Sequence, residues 1–514
     1  MKDPHTVRDQ SEAFALMEAP ETHGGCPVKR IDTHANVVFL AGKNAYKMKR
    51  AVKYPFLDYS TLEKRRYACG REIELNRQYA PEIYLGVVPL TREANGTLAL
   101  NGSGTPEEWV VHMLRFDESQ GLDLIATERG IDDKLSEDLA RLMARAHAAA
   151  APSDAARWIA DLRNYVEQNR EAFSEFPQFF PKDLAEELYR RACAEHDRIA
   201  PLLKKRGEQG YIRLTHGDAH LSNIVLIDGE PKLFDAVEFD DIIATGDVLY
   251  DLAYLLLDLW EREETRAANR VLNRYLVVTH RDDDLSALTF LPFFMMMRAA
   301  IRAKVVAAAS LHKTGKDKSD AEESASKYFR IAFEALSTEP ARLVGIGGLS
   351  GTGKTTVARG VAPFIGAMPG AVHIRTDVER KLLLGLQETQ QAPAETYSKE
   401  VSDQVYAQVY RKAAAVLATG HSVVVDGVFA APEEREKLAE IAQSAGASFS
   451  GIWLEAPMDV KESRVTDRKG DASDANAAVV RAQEGYVTGE ISWTKVDGSA
   501  PAIDVQLQVL EVLI

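Results

Sequence analysis

The eight residues Gly348-Leu349-Ser350-Gly351-Thr352-Gly353-Lys354-Thr355 constrain the fold more than any other part of this 514-residue chain. They fill every fixed position of the pattern G-x-x-x-x-G-K-[ST]. An apolar run, Leu343–Ile346, precedes them and reads as a short buried strand; Thr356-Val357-Ala358-Arg359 follows and opens a helix. Strand, loop and helix in that order are the context the pattern requires. The glycines let backbone N–H groups converge on a phosphate chain at a helix N-terminus, whose dipole favours negative charge. Gly348, Ser350, Gly351, Thr352, Gly353 and Thr356 form the cradle, Lys354 reaches the β/γ-phosphates, and Thr355 is placed to hold Mg²⁺. The expected ligand is a nucleoside triphosphate, ATP with Mg²⁺.

Downstream, apolar runs at Leu343–Ile346, Val372–Ile374, Ser422–Val425 and Ser450–Leu454 read as strands, with helical patterns between them at Ser398–Ala418 and Pro432–Ala445. The alternation predicts a parallel sheet with helices on both faces. Asp377, after His373-Ile374-Arg375-Thr376, falls at the carboxyl edge of that sheet, where open α/β folds bind ligands. Helix capping is the plainer use of Asp377, since Val378-Glu379-Arg380-Lys381 follows. Val423-Val424-Val425-Asp426 is a strand ending in an acid, and Arg464, Arg468 and Arg481 flank the polar stretch Lys469–Asn476. Residues 341–498 resemble small-molecule P-loop kinases and zeta-toxin-like kinases. The resemblance implies that Asp377 is the base for an acceptor hydroxyl and that Asp426 orients Mg²⁺ through water. It also implies that Arg464 and Arg468 belong to a lid that closes over the phosphates; a charged surface hairpin is the alternative.

A second constellation lies upstream. His216-Gly217-Asp218-Ala219-His220-Leu221-Ser222-Asn223 sits in a β-like island, Tyr211–Phe234, within a region otherwise mostly helical from Asp133 to Leu336. A strand-like pair, Ile224–Ile227 and Lys232–Phe234, follows and ends in Asp235. Phosphoryl transfer to a hydroxyl needs a carboxylate to orient the acceptor and take its proton, and oxygen ligands to hold Mg²⁺ on the triphosphate. Asp218, Asn223 and Asp235 supply that set in the order base, metal ligand, metal ligand. The segment closely resembles the catalytic loop of the aminoglycoside phosphotransferase and choline kinase group, H-G-D-x-H-x-x-N. The resemblance, over residues 25–330, implies a protein-kinase-like bilobal domain with Asp218 as base and Asn223 and Asp235 on Mg²⁺. Asp251 matches a further aspartate of that group and is read as a brace for the loop.

Such a fold also needs a strand lysine on the α/β-phosphates and a helix glutamate to hold it. Ala45-Tyr46-Lys47-Met48-Lys49 puts Lys47 and Lys49 on one strand face, because strand side chains alternate. Either can be the nucleotide lysine, with Lys47 preferred; Glu72 or Glu74 can be its partner, with Glu72 preferred. No G-x-G-x-x-G precedes the lysine strand, so the hairpin around Asp32–Asn36 has to cover the phosphates. Arg298, Arg302 and Lys304 make a basic stripe, read first as partners of acidic side chains and second as a seat for an anionic acceptor.

Ser337-Thr338-Glu339-Pro340 is the sharpest boundary and divides the chain into 1–338 and 339–514. A net charge of −15 argues against broad binding to nucleic acid or anionic membranes. The three cysteines have no metal-ligand or redox spacing, as expected of reduced thiols in a cytoplasmic protein. Leu249–Trp260 and Leu288–Ala309 are the most apolar stretches, but charged residues and Pro292 interrupt them, and they read as buried helices rather than membrane spans. No partner other than small-molecule hydroxyl acceptors is indicated, and oligomeric state leaves no mark in the sequence.

The expectation is therefore an α/β and α+β chain. A phosphotransferase-like kinase domain comes first, followed by a P-loop kinase domain, and the two together form a bifunctional ATP:hydroxyl phosphotransferase. The rivals are a P-loop ATPase switch that regulates the first kinase, and a toxin-like or antibiotic-modifying kinase.

Overall fold

The structure, a computed structural model, describes residues 5–54, 57–337, 339–467 and 470–513. Arg468 and the boundary residue Thr338 lie outside the described residues. The chain forms two compact units: Met1–Asn164 with Ala200–Asp258, and Tyr165–Ile199 with Leu259–Ile514.

The first unit is built on a six-stranded sheet. Its strands are β1 (Val28–Asp32), β2 (Asn36–Ala41), β3 (Asn44–Lys49), β4 (Tyr84–Arg92), β5 (Leu98–Leu100) and β6 (Thr105–Leu114). They pair antiparallel in the order β1-β2-β3-β6-β4-β5. Alternation sends Val37, Phe39, Tyr46 and Met48 into one apolar cluster with Ala13 and Met17. The same alternation turns Lys47 and Lys49 to the opposite face, where helix α1 (Leu62–Asn76) lies. Thr61 caps α1 by accepting the Lys64 N–H at 3.3 Å. Helix α2 (Asp133–Ala149) follows. Then β7 (Ile212–Leu214) leads into the octapeptide and the antiparallel pair β8 (Ile224–Ile227) and β9 (Glu230–Leu233). β10 (Thr245–Asp247) pairs back onto β7, and α3 (Val248–Glu261) begins directly after it.

The second unit includes α4 (Thr265–Thr279) and α5 (Leu291–Ser310). Asp282–Ser310 is long and apolar enough to cross a membrane by composition alone, but 83% of its most apolar window is buried within the fold. In the basic stripe of α5, the Arg302 guanidinium lies over the Tyr328 ring, 5.6 Å from its centre. Burial pushes the Lys304 ammonium down to about 8.

The same unit holds a five-stranded, wholly parallel sheet. Its strands are β11 (Arg342–Gly347), β12 (Val372–Arg375), β13 (Val423–Asp426), β14 (Ser448–Glu455) and β15 (Thr494–Asp497), in the order β12-β13-β11-β14-β15. The helices between them are α6 (Lys354–Val361), α7 (Thr376–Leu383), α8 (Lys399–Leu417), α9 (Pro432–Ser444), α10 (Met458–Asp467) and α11 (Ala477–Gln483). Four strands fall where the apolar runs predict them; β15 does not. Gly345 of β11 and Gly451 of β14 stand side by side in register, and the Trp493 indole covers both. A Cβ on Gly345 or Gly451 would lie 2.6 Å or 2.3 Å from that ring.

Candidate active sites

In the first unit the octapeptide is a tight loop braced from below. Asp251, 1% exposed, accepts the Gly217 N–H at 2.9 Å and meets His147 Nε2 of α2 at 3.2 Å. Asp258 accepts the Leu221 N–H at 2.8 Å. The brace leaves Asp218 at the loop surface with 36% of its side chain exposed. Its carboxylate receives the Asn223 amide at 3.1 Å and faces His220 Nε2 at 3.3 Å. Burial would raise its pKa, but bonds from His220 and Tyr254 outweigh that and hold it well below the usual carboxylate range. Asp218 is thus ionised and poised to accept a hydrogen bond from a hydroxyl.

Asp235 adopts φ +60°, a left-handed conformation rare outside glycine. Tyr84 OH accepts its N–H at 2.9 Å, and the Asn76 side chain accepts the next N–H, of Ala236, at 2.9 Å. So held, its carboxylate reaches Lys47 Nζ, which also bonds Glu72 Oε1 at 3.0 Å. Burial opposes the Lys47 charge, but Asp235 and Glu72 raise its pKa above the ordinary lysine value. Lys49 is fully buried and pairs with Glu72 Oε2 at 2.5 Å and with Glu238, to which Tyr59 OH also donates at 2.8 Å. Both lysines therefore converge on Glu72, while Glu74 is exposed and pairs with Arg71 instead. Sequence reasoning missed Glu238; it follows closely on Asp235, but nothing local marks it as a lysine partner.

In the second unit the phosphate loop joins β11 to α6, with Gly348, Gly351 and Gly353 all at positive φ. At Gly351 a Cβ would also stand 2.6 Å from the Lys461 carbonyl oxygen, so the turn admits only glycine. Ser350 N–H donates to Gln483 Oε1 at 2.7 Å, and Lys354 Nζ to the Leu349 carbonyl at 2.9 Å. Thr352 folds its hydroxyl onto the same carbonyl at 2.9 Å. Thr355 and Thr356 lie in the first turn of α6.

Thr355 Oγ1 donates to Asp426 Oδ1 at 3.3 Å, and Asp426 Oδ2 receives His373 Nε2 at 2.6 Å. Burial would raise the Asp426 pKa, but the His373 bond and the nearby Arg375 and Lys354 charges hold it low. Arg375 is 6% exposed; Asp471 takes its Nη2 at 2.9 and 3.1 Å, whereas its Nε and Nη1 have no hydrogen-bond acceptor among the described residues. Asp377 lies in the first turn of α7, partly exposed, and makes no capping bond, for the cap position is Arg375. Of the lid candidates, Arg464 bonds the Gly498 carbonyl at 2.7 Å and approaches the Thr352 carbonyl at 3.4 Å, beside the phosphate loop. Arg481 is exposed and pairs with Glu462 at 2.5 Å. Asp474 takes Lys381 Nζ at 2.6 Å and Tyr397 OH at 2.7 Å, which fastens the polar stretch onto α7 and the loop after it.

Among the described residues no group of three or more His, Cys, Asp or Glu is arranged to hold a metal alone. The paired hydroxyl and carboxylate of Thr355 and Asp426, and the oxygen donors of Asn223 and Asp235, suit Mg²⁺ carried in on phosphate oxygens. The Arg375 Nη1 and Nε stand 3.8 Å from Glu388 and 4.0 Å from Asp426, so this guanidinium offsets the charge of the carboxylates around it.

A family model described as Phosphotransferase enzyme family matches residues 102–288, and one described as AAA domain matches residues 343–489. Kinase families of these folds use ATP, typically with Mg²⁺. Solved structures similar to the first part include a choline/ethanolamine kinase family protein from Mesorhizobium loti (14% identity, 63% of this chain, 98% of that chain, TM-score 0.35). An aminoglycoside 2'-phosphotransferase-IIIa in complex with GDP is another (14%, 63%, 99%, TM-score 0.38). The second part is similar to a gluconokinase from Sinorhizobium meliloti (22% identity, 34% of this chain, 91% of that chain, TM-score 0.25). Across nearly its whole length the chain is 30% identical to "Uncharacterized protein Rv2004c" of Mycobacterium tuberculosis and to "Uncharacterized protein Mb2027c" of Mycobacterium bovis, covering 91% of this chain and 93% of each relative. The chain belongs to the family of these mycobacterial proteins, and in it a phosphotransferase-family kinase-like domain is followed by a P-loop kinase-like domain.

Proposed function

We propose that the protein is a bifunctional phosphotransferase that moves the γ-phosphoryl group of ATP to hydroxyl groups of small molecules at two separate sites. The observation that carries this reading is that each part sets a partly exposed carboxylate, Asp218 or Asp377, beside a buried lysine or a phosphate loop for the nucleotide and oxygen donors for Mg²⁺. At the first site Asp218 accepts the acceptor's proton as the hydroxyl oxygen bonds to the γ-phosphorus, and the bond to the β–γ bridging oxygen breaks to release ADP. Lys47, held by Glu72, grips the phosphates. Mg²⁺, when bound, neutralises phosphate charge as the leaving oxygen develops. At the second site Lys354 and the loop amides hold the triphosphate, Asp377 takes the acceptor proton, and Arg464 with Arg468 offsets the charge on the transferring group. We place the boundary between the catalytic regions at 338/339 and the protein in the cytoplasm, with small-molecule acceptors and neither nucleic acid nor membrane as partner.

The test is to incubate the protein with Mg-ATP and a metabolite extract and to search by mass spectrometry for phosphorylated products, with Asp218→Ala and Lys354→Ala in parallel. Two products, one lost in each variant, support the proposal. A single product that depends on Asp218 and only slows in Lys354→Ala supports the regulatory reading instead.

A further inference from the structure

β12 is the outermost strand of the parallel sheet, so one side of its main chain has no strand neighbour among the described residues. Two asparagines one turn apart on α4 take that place. Asn269, 3% exposed, donates to the Pro369 carbonyl at 3.1 Å and the Ala371 carbonyl at 3.0 Å. Asn273 donates to the same Ala371 carbonyl at 3.2 Å and accepts the His373 N–H at 2.6 Å. An amide side chain offers one acceptor and two donors, and here it pairs with the main chain much as another strand would. Helix α4 lies within the stretch matched by the phosphotransferase model, yet these bonds end on the strand that carries His373.

His373 connects that seam to the phosphate loop. Its ring is buried beside Asp426, the side chains being 7% and 5% exposed, and an ionised carboxylate can only accept, so Nε2–H donates at 2.6 Å. The bond occupies Asp426 Oδ2 and leaves Oδ1 facing Thr355 Oγ1. A carboxylate at a strand end turns about two single bonds, and the imidazole selects one of its orientations. If β12 shifts along its axis by a fraction of an ångström, the imidazole moves with it and that selection is lost.

We propose that Asn273 is a positioning residue for the P-loop site: it fixes the main chain of His373, and through the imidazole it fixes the orientation in which Asp426 meets the Mg²⁺ of the bound nucleotide. The proposal rests on the reading of Thr355 and Asp426 as the metal-side pair. Partners that orient a ligand carboxylate or imidazole typically change metal affinity by about tenfold or more when removed.

The test uses the full chain and a fluorescent ATP analogue, following the binding component that Lys354→Met removes. Mg²⁺ is titrated into wild type, Asn273→Ala, Asn273→Asp, His373→Ala, Asp426→Asn and the Asn273→Ala/His373→Ala double variant; binding in EDTA and thermal unfolding report on folding. The expected result is a shift of Mg²⁺ half-saturation on the order of tenfold in Asn273→Ala and in His373→Ala. The double variant shifts no further than the larger single change, because both act on one carboxylate. Asn273→Asp keeps an oxygen for the His373 N–H but sets a second oxygen against the Ala371 carbonyl in place of the donor, so it also shifts, and binding in EDTA is unchanged. The proposal is overturned if Asn273→Ala keeps the wild-type Mg²⁺ response while Asp426→Asn shifts it, or if Asn273→Ala weakens binding equally with and without metal. If Asp426→Asn leaves the Mg²⁺ response unchanged, the metal-side reading fails first and the proposal falls with it.

Discussion

Lys47 and Glu72 meet at 3.0 Å on the buried face of the first unit's sheet, and Glu72 turns its second oxygen to Lys49 at 2.5 Å. One carboxylate thus serves two ammonium groups with different surroundings. Lys47 also reaches Asp235, whose side chain is 44% exposed, whereas Lys49 is enclosed with Glu238. The two lysines should therefore separate in mutagenesis. Lys47→Met is expected to lower first-site kcat/KM on the order of a hundredfold, as for loss of one preorganised charge partner of the transferring group. Lys49→Met leaves Glu238 buried without its cation and is expected to cost about 3–5 kcal/mol of stability. Urea denaturation beside steady-state kinetics reads both; equal effects on stability from the two variants would refute the division.

Asp251 braces the octapeptide loop without facing solvent. Asp251→Ala takes away the carboxylate that the Gly217 N–H and His147 both meet. Loss of each such buried bond costs about 1–3 kcal/mol. First-site kcat should fall, while the Lys354-dependent component of nucleotide binding stays at the wild-type level. Nucleotide-analogue titration of that component, together with a first-site product assay, checks the pair of outcomes.

His421 should make the second unit acid-sensitive. It is 2% exposed, its Nε2 has no hydrogen-bond partner among the described residues, and burial pushes its pKa down to about 4. Below its ordinary value near 6.5 the unfolded chain binds a proton that the folded chain refuses, so stability falls as pH drops from 6.5 towards 4. The full loss is roughly 3 kcal/mol, since each tenfold difference in proton affinity between the two states is worth about 1.4 kcal/mol. His421→Leu is expected to flatten that part of the profile relative to wild type. Denaturation curves at pH 7 and pH 5 measure the difference, and parallel profiles would exclude His421 as the cause.

Trp493 sits on a floor of paired glycines, and the floor admits no methyl group. Gly451→Ala forces a Cβ to within 2.3 Å of the indole and is expected to cost about 1–3 kcal/mol by overpacking. Trp493→Leu in the same chain opens space above the strand and should recover part of the loss. A double-mutant cycle in urea gives the coupling; additive costs would show that the two residues do not press on one another.

What could be read from the sequence was what is local. The phosphate loop, the octapeptide and the four apolar strands are contiguous patterns, and the structure contains them at nearly the expected positions. β15 escaped because only Val496 of its four residues is buried, which leaves no alternation to detect. β4 to β6 were passed over although Asn95-Gly96 marks a turn between the first two. Gln483, Glu238, His373 and Asn273 carry no motif at all: each acquires its place only when distant segments meet, as Asn273 does with a strand 100 positions later. Asp377 was locally ambiguous between capping and chemistry, and the missing capping bond could be seen only in three dimensions.

The asparagine seam along β12 has a practical corollary for anyone dissecting the chain. Cutting the chain between residues 338 and 339 would produce a fragment whose outer strand, Val372–Arg375, is stripped of the side chains that blunt it. Bare strands of this kind recruit further copies of themselves, so such a fragment should self-associate more than the intact chain, which light scattering on both would read. The flank of the parallel sheet is thus guarded by a helix that sequence comparison assigns to the phosphotransferase model.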